Sequence, residues 1–244
     1  MNRTNLKLSQ KERTLFSICV VFLFGFLLVT LLRTSFQSVD VTVNLWIPSI
    51  QSSALTFIAK GVALVFDTTS LVLFSLVISG ILFLKNYKAQ GLLLLGAMGG
   101  DALIVSVIKT VVNVARPTNG IMLDTGLSYP SGHSAGVVVF VGMLAYFAWR
   151  HWRSTLLKVL IGVWMPTLVG IVGFDRVYLN VHWLSDIFGG WLFGVFWLSF
   201  VILVFIWLEE AGKFRLNKFK VIANWLYVAA IAVSFVVVVS GFVR

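Results

Sequence analysis

Residues 187–208 have the sequence IFGGWLFGVFWLSFVILVFIWL, a run without a single charged side chain. About 20 apolar residues of helix cross the roughly 30 Å hydrocarbon core of a bilayer, in which no backbone polar group can stay unpaired. The run therefore predicts a transmembrane helix. Six similar runs predict further spans, at residues 15–32, 69–84, 92–114, 135–149, 156–174 and 221–243.

The composition of the whole chain agrees with this prediction. Of its 244 residues, 59% are hydrophobic and only 11% are charged, and the mean hydropathy is +0.98. These values exclude an ordinary soluble domain. With four prolines and no repeat or low-complexity linker, we expect one integral membrane domain over residues 1–244. The predicted fold class is all-α, a polytopic transmembrane helix bundle.

One segment between the runs has a mixed composition. Residues 45–65 place Pro48, Gln51, Ser52 and Lys60 among apolar side chains. This mixture is typical of a helix that lies at the membrane interface. We therefore predict an interfacial helix here and do not count it as a span.

The net charge of +10 does not indicate nucleic-acid binding, since the basic residues form short clusters between apolar runs and not one solvated face. Such clusters report membrane topology, because Lys and Arg favour the cytoplasmic side. We predict a multi-pass protein of the cell membrane, with a cytoplasmic N-terminus and a retained first helix. All but six of the 19 basic residues then lie inside; the six are Arg33, Lys60, Lys109, Arg116, Arg176 and Arg244.

Three of these outer cations come from two loops that face the same membrane side. Lys109 and Arg116 precede the fourth predicted span, and Arg176 follows the fifth. Ser131 and Gly132 form a turn that opens the fourth span, where free N–H groups and the helix dipole favour an anion. The planar guanidinium group of an arginine can donate two hydrogen bonds to the oxygens of a phosphate. The pattern predicts an extracytoplasmic phosphate-binding pocket.

Two histidines and an aspartate accompany the cations. His182 and Asp186 are four residues apart, which places them on one helix face. A carboxylate beside an imidazole orients the ring for nucleophilic attack, so His182 is the predicted nucleophile. His133 follows the Ser–Gly turn and could protonate the leaving oxygen and then activate water. Because no carboxylate cage or His/Cys ligand cluster is visible, we predict chemistry without a metal or cofactor.

These residues resemble the three signature motifs of the type 2 phosphatidic acid phosphatase superfamily. The motifs correspond to Lys109 with Arg116-Pro117, to Pro130-Ser131-Gly132-His133, and to Arg176 with His182 and Asp186, all within residues 109–186. The resemblance implies a phosphohistidine at His182, oriented by Asp186, with acid–base catalysis by His133. It also implies that the phosphoryl oxygens are held by Lys109, Arg116, Ser131, Gly132 and Arg176.

The resemblance also implies the substrate class, a lipid phosphate or pyrophosphate such as phosphatidic acid, phosphatidylglycerol phosphate or undecaprenyl pyrophosphate. Two features depart from the family pattern. Asp175 stands where the third motif usually has a serine, and a carboxylate there would repel phosphate unless it is protonated or paired. The family more often has six spans, so six or seven are expected here.

Two alternatives remain open for the activity. The same residues would serve a lipid phosphotransferase, and the cationic pocket would serve a non-catalytic protein that binds or transports lipid phosphates. Asp101 also has two interpretations, because it lies inside the third predicted span, where an unpaired carboxylate is costly. It either forms a hydrogen bond in helix packing or supports the site.

Overall fold

The computed structural model describes residues 9–213, which form eight α-helices and a short 3-10 helix. The helices are α1 (Gln10–Leu31), α2 (Arg33–Trp46), α3 (Ser53–Val65), α4 (Thr68–Leu84), α5 (Lys88–Val112), α6 (Gly132–His151), α7 (Thr155–Tyr178) and α8 (Leu184–Glu210). The 3-10 helix is Ile47–Ile50. No strand occurs within the described range, which confirms the all-α fold class.

Five of these helices, α1, α5, α6, α7 and α8, are long and apolar enough to cross a membrane. A sixth crossing is available if α3 and α4, which meet at a bend of 46°, form one broken span. The six runs predicted between residues 15 and 208 all coincide with helices. The seventh predicted run, residues 221–243, lies outside the described residues and stays a prediction.

The segment predicted as one interfacial helix is helical but divided into pieces. It contains the last residues of α2, the 3-10 helix and α3. Pro48 lies in the first turn of the 3-10 helix, and the Ser52 side chain accepts a hydrogen bond from the Leu55 amide to cap α3. The proline and the new N-cap explain this division. Each of them fixes the local backbone, so the chain leaves α2 and begins a separate helix, α3.

Helix α6 lies at the centre of the bundle, and most of its residues are buried. Helix α8 packs closely against its first half through glycines. A Cβ atom built on Gly190 would come within 2.6 Å of the Ser131 carbonyl, and one on Gly194 within 2.9 Å of the Val138 Cβ. Small residues permit such close approach between membrane helices. The N-termini of α6 and α8 therefore meet, and the residues between α5 and α6 and between α7 and α8 lie at this same end.

Candidate functional site

His182 lies in the short connection between α7 and α8, where Asn180 adopts a left-handed conformation with φ of 54°. The ring is buried, with 2% of the residue exposed. Its Nδ1 atom is 3.2 Å from Oδ2 of Asp186, which lies in the first turn of α8. The expected spacing of four residues thus produces the expected contact.

The proton of the His182 ring can be placed from the partners of its two nitrogens. Nε2 is 3.0 Å from an NH1 nitrogen of Arg116. Because a guanidinium only donates hydrogen bonds, Nε2 accepts, and the ring proton resides on Nδ1 beside Asp186. Burial lowers the pKa of His182 to about 4, although the Asp186 carboxylate opposes this shift. The ring is therefore neutral near pH 7, with a lone pair on Nε2.

Asp186 is oriented by more groups than His182 alone. Its Oδ2 atom accepts hydrogen bonds from the Ser128 hydroxyl and, at 2.9 Å, from the Trp183 amide. Its Oδ1 atom lies 3.2 Å from Arg33 NH1. The same Arg33 nitrogen is 3.4 Å from the hydroxyl of Ser185. Arg33 was predicted only as an outer basic residue, because no motif spacing marks it as a partner of Asp186.

A second carboxylate fixes the surroundings of Arg33. Asp40 of α2 accepts hydrogen bonds from the Ser185 amide at 2.9 Å and from the Ser185 hydroxyl at 2.6 Å. Burial raises the pKa of Asp40, against the opposing effect of these two bonds. Helix α2 therefore attaches to the first turn of α8 and brings Arg33 to Asp186.

His133 lies in the first turn of α6 and is buried. Its ring centroid is 6.2 Å from that of His182, so the structure brings the two predicted histidines together. Its Nε2 atom is 3.2 Å from Oδ1 of Asp67, the residue that caps α4 by accepting from the Thr69 amide. Sequence reasoning missed this partner, although an aspartate before a Thr-Thr-Ser run has the pattern of an N-cap.

The N-terminus of α6 has the geometry expected of an anion site. Ser131 is the N-cap and accepts a hydrogen bond from the Ser134 amide at 3.3 Å. Its own amide donates to the Asp186 carbonyl at 3.0 Å, which fixes α6 to α8. The amides of Gly132 and His133 occupy first-turn positions, where a helix provides no internal acceptor.

The predicted cations occupy different environments. Lys109 donates to the carbonyls of Leu127 and Ser128, at 2.6 and 3.0 Å. Arg116 donates to the Val181 carbonyl at 2.7 Å and so reaches the His182 connection. Both side chains hold the segment between α5 and α6 against the site.

Arg176 is the predicted cation with the least direct contact to the others. It is 1% exposed, and its Nε and NH2 atoms both donate to Oδ2 of Asp175. It remains close enough to interact electrostatically with Arg116 and His133. Asp175 thus pairs with the adjacent arginine, which neutralises the carboxylate that departs from the family motif.

Asp124 enters the site from the segment between α5 and α6, and sequence reasoning did not identify it. Its Oδ2 atom is 2.8 Å from Arg116 NH1. One ligand atom from each of Asp124, His133 and His182 lies within 4.8 Å of the other two. Two imidazoles and a carboxylate are ligands that suit zinc, so the expectation that no such cluster exists was wrong. The Asp124 carboxylate also occupies space beside Arg116 that a phosphoryl oxygen could use.

Comparisons with known proteins identify a matching family model and relatives that align with 55% to 80% of this chain. Residues 90–210 match the model of the PAP2 superfamily. Phosphatidylglycerophosphatase B from Bacillus subtilis is 27% identical over 80% of this chain and 96% of its own length. An undecaprenyl-diphosphatase from Sulfolobus acidocaldarius is 30% identical over 55% of this chain and 63% of its own length.

A solved structure shares the fold. The crystal structure of a transmembrane PAP2-type phosphatidylglycerolphosphate phosphatase from Bacillus subtilis superposes with a TM-score of 0.72 at 25% identity. The match covers 81% of this chain and 98% of that protein. The similarity therefore extends from the motif region to most of the described bundle.

Proposed function

We propose that this chain, as a member of the PAP2 superfamily of membrane lipid phosphatases, hydrolyses a lipid phosphate through a phosphohistidine on His182. The observation that carries the proposal is the geometry of this ring. Its Nδ1 atom is held by Asp186 and its Nε2 atom faces the Arg116 guanidinium. A buried, neutral imidazole with an oriented lone pair beside a cation is suited to attack a phosphorus atom.

The first step forms the bond between Nε2 of His182 and phosphorus and breaks the bond between phosphorus and the lipid oxygen. His133, protonated at the start of this step, gives its proton to that departing oxygen, so a lipid alcohol leaves uncharged and a lipid monophosphate, from a pyrophosphate, leaves with one proton added. Positive charge on the His182 ring is stabilised by Asp186. Asp186 is itself held by Arg33, Ser128 and the Trp183 amide.

The second step returns the enzyme to its starting state. A water molecule gives a proton to His133 and attacks phosphorus, the bond between phosphorus and Nε2 breaks, and inorganic phosphate leaves. Throughout both steps the negative charge of the phosphoryl group is compensated by Arg116, Lys109 and Arg176. The backbone amides at the start of α6 donate hydrogen bonds to the phosphoryl oxygens. For the arginine to take this role, the phosphoryl group must replace Asp124 beside Arg116.

The proposed substrates are glycerolipid or polyprenyl phosphates presented in the outer leaflet. Relatives named for phosphatidylglycerol phosphate and undecaprenyl diphosphate support this class. The proposed topology places the N-terminus in the cytoplasm and the site outside, because most basic residues then lie on the cytoplasmic side. Cysteine substitutions at the exposed residues Thr118 and Lys213 test it: a membrane-impermeant thiol reagent should label the first from outside intact cells and not the second.

We also propose that no metal takes part in turnover. The cations that surround Asp124, His133 and His182 already compensate a phosphoryl group, and a metal bound by both histidines would occupy the lone pairs that the mechanism needs. Turnover should therefore persist after dialysis against EDTA, and loss of activity that Mg²⁺ or Zn²⁺ restores would contradict this point.

The decisive experiment is substitution of the nucleophile. Purified wild-type protein in mixed micelles should release phosphate from phosphatidylglycerol phosphate, phosphatidic acid or undecaprenyl pyrophosphate, and His182→Ala should release none while remaining folded in detergent. His151→Ala, at the far end of α6, is the matched histidine control. An active His182→Ala protein would refute the mechanism, and label transferred to an acceptor alcohol instead of water would identify a phosphotransferase. Binding without turnover would identify a lipid-phosphate binding protein.

A further inference from the structure

A cavity of about 210 Å³ extends from the phosphate site into the bundle between α4, α5 and α6. The end of the cavity nearest the phosphate site is formed by Thr68, Lys109 and Gly132. The cavity therefore begins where the motif residues lie. Farther from the phosphate site the walls of the cavity are apolar and include Leu71, Met98 and Val105. Such a lining is suited to the hydrophobic part of a lipid.

The cavity also reaches the outer surface of the bundle. Val72 of α4 and Ala102 and Ser106 of α5 line it and are themselves exposed. Since α5 is a candidate membrane span, this opening faces the bilayer. A lipid whose phosphate occupies the site would then place the atoms that follow the phosphate in this cavity.

One polar group interrupts the apolar lining. Asp101 of α5 is 4% exposed and lines the cavity. Its Oδ1 atom is buried and has no hydrogen-bond partner among residues 9–213. Buried polar atoms in proteins are nearly always paired, and a charged carboxylate is especially costly at membrane depth. The unpaired oxygen therefore marks a place where a ligand atom can complete the hydrogen bonding.

The depth of Asp101 can be measured against α6. A Cβ atom built on Gly136 would lie 3.7 Å from Asp101 Oδ2. Gly136 is four residues after Gly132, which opens the helix, so the carboxyl group lies about 6 Å below the helix end that faces the phosphate, at about 1.5 Å per residue. This is one helical turn.

A diacylglycerol phosphate and a polyprenyl phosphate differ at this depth. In the first, the glycerol ester groups follow the phosphate and offer carbonyl oxygens as acceptors. In the second, only hydrocarbon follows. A neutral carboxylic acid donates one hydrogen bond through its O–H group, and it matches an ester carbonyl but not an isoprenoid chain.

We propose that Asp101 donates a hydrogen bond to an ester carbonyl of the substrate and makes this enzyme selective for glycerolipid phosphates over polyprenyl phosphates. The proposal rests on the proposed lipid phosphatase activity. Asp101 is a specificity-determining residue in this account and takes no part in the transfer of the phosphoryl group.

The test compares two substrates that differ only in the acceptor, a diester and a diether phosphatidic acid, with two substrates that have no glycerol backbone. Initial rates are measured in mixed micelles for diester phosphatidic acid, its diether analogue, undecaprenyl pyrophosphate and para-nitrophenyl phosphate. The wild-type protein should show a kcat/KM for the diester about tenfold above the diether, the scale expected for one good hydrogen bond. Asp101→Leu should abolish this ratio and leave para-nitrophenyl phosphate turnover unchanged. Asp101→Asn keeps a donor, so it should retain part of the ratio.

Ser75→Ala provides the matched control. Ser75 is buried and bonds the Leu71 carbonyl within α4, so its removal deletes a buried polar group outside the cavity and should leave the diester-to-diether ratio intact. Equal loss on all four substrates in Asp101→Leu and Asp101→Asn would assign Asp101 to helix packing and overturn the proposal. A wild-type protein without ester preference would also overturn it, whereas a wild-type protein inactive on every lipid phosphate would refute the proposed function itself.

Discussion

Substitution of Asp124 by asparagine tests whether the site is partly occupied by its own chain. The Asp124 carboxylate pairs with Arg116 at 2.8 Å and lies beside the ring nitrogens of both histidines. A phosphoryl oxygen must compete with it for the guanidinium. Asparagine keeps the shape of the side chain and removes the competing charge, so phosphate and its analogues should bind more tightly.

The size of the effect follows from the burial of the pair. Exposed ion pairs contribute about 0.2–1 kcal/mol, and loss of one partner from a buried pair costs about 3–5 kcal/mol. The two side chains are 13% and 19% exposed, so the free energy of this ion pair lies between these limits, at about 1–2 kcal/mol. That free energy corresponds to an inhibition constant roughly 5- to 30-fold lower.

The assay is inhibition of phosphatidic acid hydrolysis by orthovanadate and by inorganic phosphate. Thr125→Ala is the control, because Thr125 is the exposed neighbour of Asp124 and carries no charge. Asp124→Asn should lower both inhibition constants, and Thr125→Ala should not. Unchanged or weaker inhibition of Asp124→Asn would show that the carboxylate does not occupy the phosphate position.

Three further predictions concern the surroundings of His182. Arg33→Met should lower kcat about tenfold with little change in KM, since it removes a charged hydrogen bond of about 1.5 kcal/mol from Asp186; an unchanged kcat in the folded variant would contradict the role of Arg33. The depressed pKa of His182, about 4 against an ordinary 6.5, stabilises the protein fully above pH 6.5 and less as the pH falls towards 4, because the unfolded chain takes up the proton first. The melting temperature of the wild-type protein should therefore fall more steeply over this range than that of His182→Gln, and parallel curves would refute the assignment. Zn²⁺ should inhibit reversibly by binding Asp124, His133 and His182, and Asp124→Asn should weaken this inhibition about tenfold; equal zinc sensitivity in both proteins would place the inhibitory ion elsewhere.

Much of the architecture was predictable because each membrane helix leaves a local signal. An apolar run of sufficient length specifies a span without reference to the rest of the chain, and the predicted runs at 69–84 and 187–208 lie in α4 and α8. The contact between His182 and Asp186 was equally local, since it depends on a spacing of four residues at the start of one helix.

The partners that could not be predicted from the sequence join distant elements of the fold. Arg33 reaches Asp186 from α2, Asp67 reaches His133 from the cap of α4, and Asp124 comes from a segment without regular structure. None of these pairs has a spacing that periodicity could detect, because each depends on how the helices pack. The break of residues 45–65 into pieces was also missed, although Pro48 and Ser52 supplied a local signal for it.

A covalent bond between phosphorus and His182 is the step on which the proposed mechanism depends. Wild-type protein mixed with lipid substrate labelled at the phosphoryl phosphorus and quenched within milliseconds should carry label that is stable in alkali and released by acid, as expected for a phosphohistidine. The label should map to the peptide that contains His182, and His182→Ala should carry none. Label on another residue, or full turnover without any labelled protein, would contradict the account.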